Sequence, residues 1–340
     1  MRSIISIILC LTGLSAFAQT KPFVFDDLDR GEKNYPRDLK SSKNDAHSLS
    51  VFWWNIREGG AWSKALDGNP LEQNLEILAQ SELAPEVMVL GEFVQGSFQK
   101  KTESVLSSRY PFQIYIPYAR LRNDRGFKVY SKYAMEIDQS LLDWSPMNDT
   151  AVEQAEFKEH WRKFLNPQAD RYYERVFADV RIHKANSIFH VVPVHLLNPW
   201  LSLSEKTSKA DAAVALVFAK NNPHYRQVER LMIEKIAPLA EQVKREHSSL
   251  VMVGDFNVPD EVYGIIPTAY HLMRRGLDAV VAPAFSLYTF PAISSDMSDQ
   301  IHFKIDHAFI DSATNVLYQT RIPFRGSDHY PIAVKVQSRR

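Results

Sequence analysis

Six polar clusters in this chain each close or interrupt a short apolar run. They are Asn55 after LSVFWW, Glu92 after VMVLG, His195 after IFHVVPV, Asp255 with Asn257 in VMVGDFN, Asp306 in FKIDHAFI, and Asp328 with His329 before YPIAV. Acids, amides and imidazoles of this kind are equipped to hydrolyse a phosphate ester. Carboxylates hold a hard divalent cation through oxygen ligands, Mg2+ first, with Mn2+ or Ca2+ also compatible. Such a cation polarises the phosphoryl group and offsets charge in the transition state. Neutral amides donate to phosphate oxygens without adding repulsion. A histidine paired with a carboxylate acts as a base, or binds phosphate when charged. Taken singly, each Asp or Asn after a strand is an ordinary turn former; their joint occurrence points to a site.

The elements that must position these residues are read from periodicity. Leu49 to Trp54, Val87 to Leu90 and Leu250 to Val253 are short unbroken apolar runs, as expected of strands buried on both faces. Phe112 to Tyr118, Phe127 to Ile137, Tyr172 to His183, Ser187 to Leu196, Phe303 to Ile310, Leu317 to Ile322 and Tyr330 to Val336 read as further strands. Pro193 predicts an edge or a bulge in its strand. Leu71, Leu75 and Leu78 predict a helix over 69–83 with Asn69 as cap and Pro70 at its first position. Tyr225, Val228, Leu231, Met232, Ile236, Leu239 and Val243 form the strongest helical stripe, with Pro238 as a possible kink. A shorter helix is expected at 97–108 and another near 268–275. Residues 141–171 form a long excursion, where Thr150 to Glu153 reads as a capping box ahead of Phe157, Trp161 and Phe164 at helical spacing. That segment is either a cover for a core edge or an element shaping the substrate site. Strands outnumber long helices and alternate with them irregularly, which favours one α+β domain with two packed sheets.

Composition narrows the class. The chain has 340 residues, 45% hydrophobic and 24% charged, ample for a packed core. Residues 1–18 carry Arg2, an apolar stretch from Ser3 to Leu14, and Ala16-Phe17-Ala18, the pattern of a secretory signal peptide. An uncleaved membrane anchor is the alternative, although the apolar stretch is short for a span. The expectation is therefore a leader at 1–18, a polar lead-in at 19–48, and a single domain over 49–340, exported to the periplasm or the medium. Cys10 is the only cysteine and leaves with the leader, so disulfides and thiolate metal sites are excluded from the mature chain. The formal charge is zero, which does not announce a basic nucleic-acid clamp.

In order and spacing, VFWWNIR, VLGEF, VVPVHL, VMVGDFNVPD, FKIDHAFI and SDHYPI resemble the endonuclease/exonuclease/phosphatase superfamily, the deoxyribonuclease I-like fold, over about residues 49–337. The resemblance implies a four-layer α/β sandwich, two mixed β-sheets face to face with helices outside, and a site at one edge where strand ends from both sheets meet. It implies Glu92 as the main metal ligand, with Asn55 and Asp328 close to the metal. It implies that Asp255 positions or activates the attacking water and that Asn257 holds a phosphate oxygen. His195 would bind the phosphate or leaving group, and Asp306 would orient His329, either a base or an electrostatic clamp. Three departures stand out: Pro193-Val194 precede His195 where the family often has Thr, the 141–171 excursion is longer than the usual connection, and Gly91 stands where Gln is common. Arg57, Arg125 and Lys128 either steer an anionic substrate or are solvated surface charge.

The leading functional expectation is an exported, divalent-metal-dependent phosphohydrolase, first a phosphodiesterase or nuclease. A sphingomyelinase-like or an inositol or small-molecule phosphatase are the alternatives within the fold, and a non-catalytic binding protein is the competing class. The expected partner is a phosphate-ester substrate (nucleic acid, phospholipid or small ester), with no obligate protein partner and a monomeric state.

Overall fold

The computed structural model describes residues 45–60, 70–82, 84–118, 125–137, 176–196, 223–258, 273, 305–322, 324 and 326–338. The expected leader, nearly all of the lead-in, Asn69, the 141–171 excursion, the 201–222 connection, His302, and all of the elements expected over 268–300 except Met273 lie outside the described residues.

Eleven strands are seen among the described residues: β1 (Ser48–Asn55), β2 (Val87–Val94), β3 (Phe112–Pro117), β4 (Arg125–Ser131), β5 (Met135–Glu136), β6 (Val180–Lys184), β7 (Ser187–His195), β8 (Ser249–Asp255), β9 (Asp306–Ile310), β10 (Thr314–Arg321) and β11 (Ile332–Ser338). They form a six-stranded sheet in the order β10-β11-β1-β2-β4-β3 and a five-stranded sheet in the order β5-β6-β7-β8-β9. Each sheet is mixed, with one parallel pair inside it: β1 with β2, and β7 with β8. The run expected as one strand from Phe127 to Ile137 is divided, β4 in the first sheet and β5 in the second.

Side-chain alternation explains the layers. Leu49, Val51 and Trp53 of β1 meet Val191 of β7, Val251 and Val253 of β8, and Ala308 and Ile310 of β9 in the core between the sheets. The opposite parity of β1, Phe52 and Trp54, packs with Leu71, Leu75 and Leu78 of a helix α2 (Pro70–Gln80) and Leu106 of α3 (Lys100–Arg109). Leu250 and Met252 of β8 face the stripe Val228, Leu231, Met232, Ile236, Leu239 and Val243. That stripe lies on α4 (Pro223–Arg230), a π-helical turn (Leu231–Ile236) and α5 (Ala237–Glu246). A short turn of helix, α1 (Arg57–Gly60), follows β1. Both faces of each sheet are covered, giving helix, sheet, sheet, helix.

Two prolines shape the elements around them, and Pro193 does so against the expected edge or bulge. At Pro238 the preceding turn widens, with the Ala237 N–H donating to Met232 O; this gives the proline ring room against the carbonyl below it. Pro193 sits in an interior strand whose register with β8 is unbroken. The ladder from β6 stops at Val180 opposite Val191, so the N–H that Pro193 lacks falls beyond it.

At one end of the inter-sheet core, Lys184 Nζ of β6 lies 2.6 Å from Glu86 Oε1 and 2.5 Å from the Ser48 carbonyl, joining the two sheets by a buried ion pair. Removing one partner of such a pair leaves an uncompensated charge. Lys184→Met is expected to lower unfolding free energy by about 3 kcal/mol, with Glu86→Gln in addition restoring most of it; equilibrium denaturation of both variants checks this.

Candidate active site

The other end of the same core is polar. Asn55 continues the inward parity of Leu49, Val51 and Trp53; Asp255 continues that of Val251 and Val253; Asp306 precedes inward Ala308 and Ile310; His195 follows inward Phe189 and Val191. Register then aligns them: Asn55 lies opposite Gly91, His195 opposite Asp255, and Asp255 opposite Asp306. The carboxyl ends of the two parallel ladders therefore bring Asn55, His195 and Asp255 to one place.

Glu92 arrives by a different route. It lies inside β2, two residues before its end, and not at the strand terminus expected after Leu90. Simple alternation would send it with Met88 and Leu90 to the helix-covered face. A register shift between Leu90 and Phe93 breaks the ladder to β4, and Glu92 takes φ 53° in the left-handed region. Beyond the bulge it is Phe93 that faces the helices, and Glu92 turns to Asn55.

Asn55 Nδ2 donates to Asp255 Oδ2 at 3.0 Å and to Glu92 Oε1 at 3.3 Å, bridging the sheets. His195 Nε2 is 3.7 Å from Glu92 Oε1 and 3.8 Å from Asp255 Oδ2. His329 Nδ1 is 2.8 Å from Asp306 Oδ2, and its Nε2 is 3.7 Å from Asp255 Oδ2. Asn257, at φ 51°, donates its backbone N–H to Asp255 Oδ1 and one amide hydrogen to Leu196 O. His307 donates Nε2–H to Val258 O on the opposite face of β9, as alternation requires.

Burial pushes the Asp255 carboxyl up to about 7, against the lowering pull of the His329 charge and the bonds from Asn257 and Asn55. Burial alone would lower the His329 imidazolium; Asp306 and Asp255 overrule it and raise it to about 10. Asp255, Asp306 and His329 place ligand atoms within 4.8 Å of one another, so this group could hold a metal ion. Within it, Asp306 Oδ1 accepts Trp53 Nε1–H at 2.8 Å and Oδ2 faces His329, so both oxygens are already engaged. Glu92 and Asp255, two oxygen donors meeting at the Asn55 amide, fit a hard divalent cation by their chemistry.

The structure does not bring every expected residue inside. Asp328 Oδ2 pairs with Arg57 Nη1 at 2.9 Å at the rim. Arg125 pairs with Glu58 at 2.7 Å, and the Glu58 N–H donates to Glu92 Oε2, so Arg125 also belongs to the rim. Lys128 is corrected: it shares parity with Tyr130, lies 5.3 Å from that ring on the helix-covered face, and points away from the site. Three residues that sequence reasoning did not single out support the site. Trp53 fixes Asp306. Ser327 Oγ donates to Asn55 O at 2.6 Å and accepts the His329 N–H, tying the His329 loop to β1. Tyr118 contacts Glu92 and His195. Gly91 has a role too: a Cβ there would lie 2.3 Å from Trp53 Cη2.

No family model matches the sequence, and no curated protein matches it. Solved structures do. An endonuclease/exonuclease/phosphatase family protein from Bacteroides thetaiotaomicron superposes with a TM-score of 0.53 at 15% identity, over 85% of this chain and 97% of that one. The fold is that of the endonuclease/exonuclease/phosphatase proteins. A mannosyl-6-phosphatase from Bacteroides thetaiotaomicron has the same TM-score of 0.53 at 15% identity, over 85% of this chain and 99% of that one. Sphingomyelinase C from Streptomyces griseocarneus gives 0.50 at 15% identity, over 85% and 99%. In this endonuclease/exonuclease/phosphatase fold the paired sheets carry the described polar cluster at one end of their shared core.

Two predictions follow from the geometry. A hydrogen bond to a charged group contributes roughly 1.5–3 kcal/mol; Trp53→Phe is therefore expected to reduce kcat on a phosphate ester at least tenfold by that estimate, and Gly91→Ala to act in the same direction by displacing the indole. Steady-state kinetics with a melting curve separates this from unfolding. Asp255 must be unprotonated to accept a proton, so the kcat profile is expected to fall on the acid side with a limb near the raised value of about 7. Asn55→Ala removes a bond that lowers that value, so its limb moves to higher pH. A rate profile from pH 4 to 9 for both proteins reads the two limbs.

Proposed function

We propose that this protein is an exported, divalent-metal-dependent phosphoric ester hydrolase that cleaves a phosphodiester with activated water. The observation that carries the reading is Asp255: a desolvated carboxylate placed against Asn55, His195 and His329 at the junction of both sheets. Glu92 would hold the cation, with Asn55 and Asp255 beside it and Asp328 farther out at the rim. When bound, Mg2+ (or Mn2+ or Ca2+) supplies polarisation of the phosphoryl group.

The chain's own groups do the rest. Asp255 accepts a proton from water as its oxygen attacks phosphorus. His329 is kept protonated by Asp306 and Asp255 and serves as a clamp for the anionic oxygens rather than as the base. His195 and the Asn257 amide bind the remaining phosphate oxygens. The bond to the leaving oxygen breaks as the new P–O bond forms, and the departing oxygen takes its proton from solvent water, while Asp255 returns the proton it accepted to solvent. Export rests on the leader-like residues 1–18. A mannosyl-6-phosphatase and a sphingomyelinase share the fold, so monoesters and lipid phosphodiesters are the substrates to set against nucleic acids.

The test is a panel of bis(p-nitrophenyl) phosphate, DNA, RNA, sphingomyelin, inositol phosphates and simple monoesters, with Mg2+ and with excess EDTA. Hydrolysis of a diester is expected with Mg2+ and not with EDTA. Asp255→Asn is expected to reduce kcat by at least about a hundredfold while remaining folded, the range for a general base, and His329→Ala by about a hundredfold as well, the range for losing a group that stabilises an oxyanion.

A further inference from the structure

Tyr118 stands immediately after β3, the edge strand of the first sheet, yet it touches both halves of the site. Its hydroxyl oxygen accepts the Glu92 N–H at 2.5 Å. Its ring lies edge-on to the His195 imidazole, with centroids 5.0 Å apart and planes at 75°. It is held there by its own N–H donating to Arg125 O at 3.0 Å and by edge-on packing on Phe127 at 4.7 Å. The side chain is 7% exposed.

The bond to Glu92 answers a need created by the bulge. Because the β2–β4 ladder passes from Leu90 to Phe93, the Glu92 N–H is not used in that ladder. A non-glycine residue at φ 53° persists only where its surroundings hold it. The Glu92 N–H in this half-buried turn is left without a ladder acceptor, and the phenol oxygen is the acceptor provided. Glu92 belongs to the first sheet and His195 to the second, so one side chain ties a carboxylate from one sheet to an imidazole from the other.

We infer that Tyr118 is a positioning residue: its hydroxyl holds the bulge that turns Glu92 toward the cation, and its ring sets the plane of His195 toward the phosphate. This rests on the hydrolase reading above. Tyr118→Phe keeps the ring and deletes only the acceptor; Tyr118→Leu deletes both contacts.

Three measurements on the full chain test it: Mg2+ binding by titration calorimetry, amide hydrogen exchange at Glu92, and kcat and KM on bis(p-nitrophenyl) phosphate. For Tyr118→Phe, Mg2+ binding is expected to weaken about tenfold, as for loss of a group orienting a metal ligand, with faster exchange at Glu92. Its kcat should fall by about the same factor with KM little changed, and its melting temperature should stay close to wild type. Tyr118→Leu is expected to add a rise in KM as His195 loses its support. Wild-type Mg2+ affinity and kcat in Tyr118→Phe would overturn the inference, as would an unchanged Glu92 amide. The hydrolase reading fails separately, in the wild type itself, if that protein neither binds Mg2+ nor hydrolyses the ester; the positioning inference then falls with it.

Discussion

A carboxylate between two packed sheets is a liability unless something there stabilises its charge. Asp255 occupies such a place, and the 3.0 Å bond from the Asn55 amide is what joins it to the opposite sheet. That bond requires β1 and β8 to end at the same height and to point their last residues at each other. The remaining geometry serves this requirement. The two parallel pairs bring their carboxyl ends together, Ser327 holds the end of β1 from above, and the Lys184–Glu86 pair joins the sheets elsewhere in the sandwich.

Electrostatic consequences follow from the same burial. Two buried carboxylates around His329 keep its imidazole charged, while desolvation keeps Asp255 basic enough to accept a proton near neutral pH. A charged imidazole and a carboxylate of raised pKa thus share one small volume, the kind of pairing by which environments divide the behaviour of titratable groups. Trp53 matters here because it engages Oδ1 of Asp306 while Oδ2 faces His329. The absence of a side chain at Gly91 is what lets that indole lie where it does.

Much of this could be read from the sequence. Alternation in VMVGD and LSVFWWN already places Asp255 and Asn55 at the ends of strands buried on both faces, and the shift from Asp306 to His307 sends them to opposite faces, as found. The order of the six motifs carried the four-layer architecture. The expected place of Glu92 at a strand end does not hold, since it lies inside β2, because a bulge leaves no mark in an apolar run followed by Gly91. Lys128 looked available only because strand parity in β4 cannot be tied to a face without its partners. Tyr118 and Trp53 enter the sequence only as strand aromatics; nothing in residue type tells a packed ring from one whose polar atom holds a group of the candidate site. Pro193 signalled an edge, and its strand is interior because β6 stops short of it.

Where the cation and phosphate sit among these groups decides their roles. Anomalous scattering from crystals soaked in Mn2+ with inorganic phosphate reads both positions at once. The expected map has Mn2+ in direct contact with the Glu92 carboxylate and phosphate oxygens against His195 and Asn257. A cation bound instead by Asp306 and His329, with Glu92 left uncoordinated, would contradict the assignment of the base, the clamp and the metal ligand together.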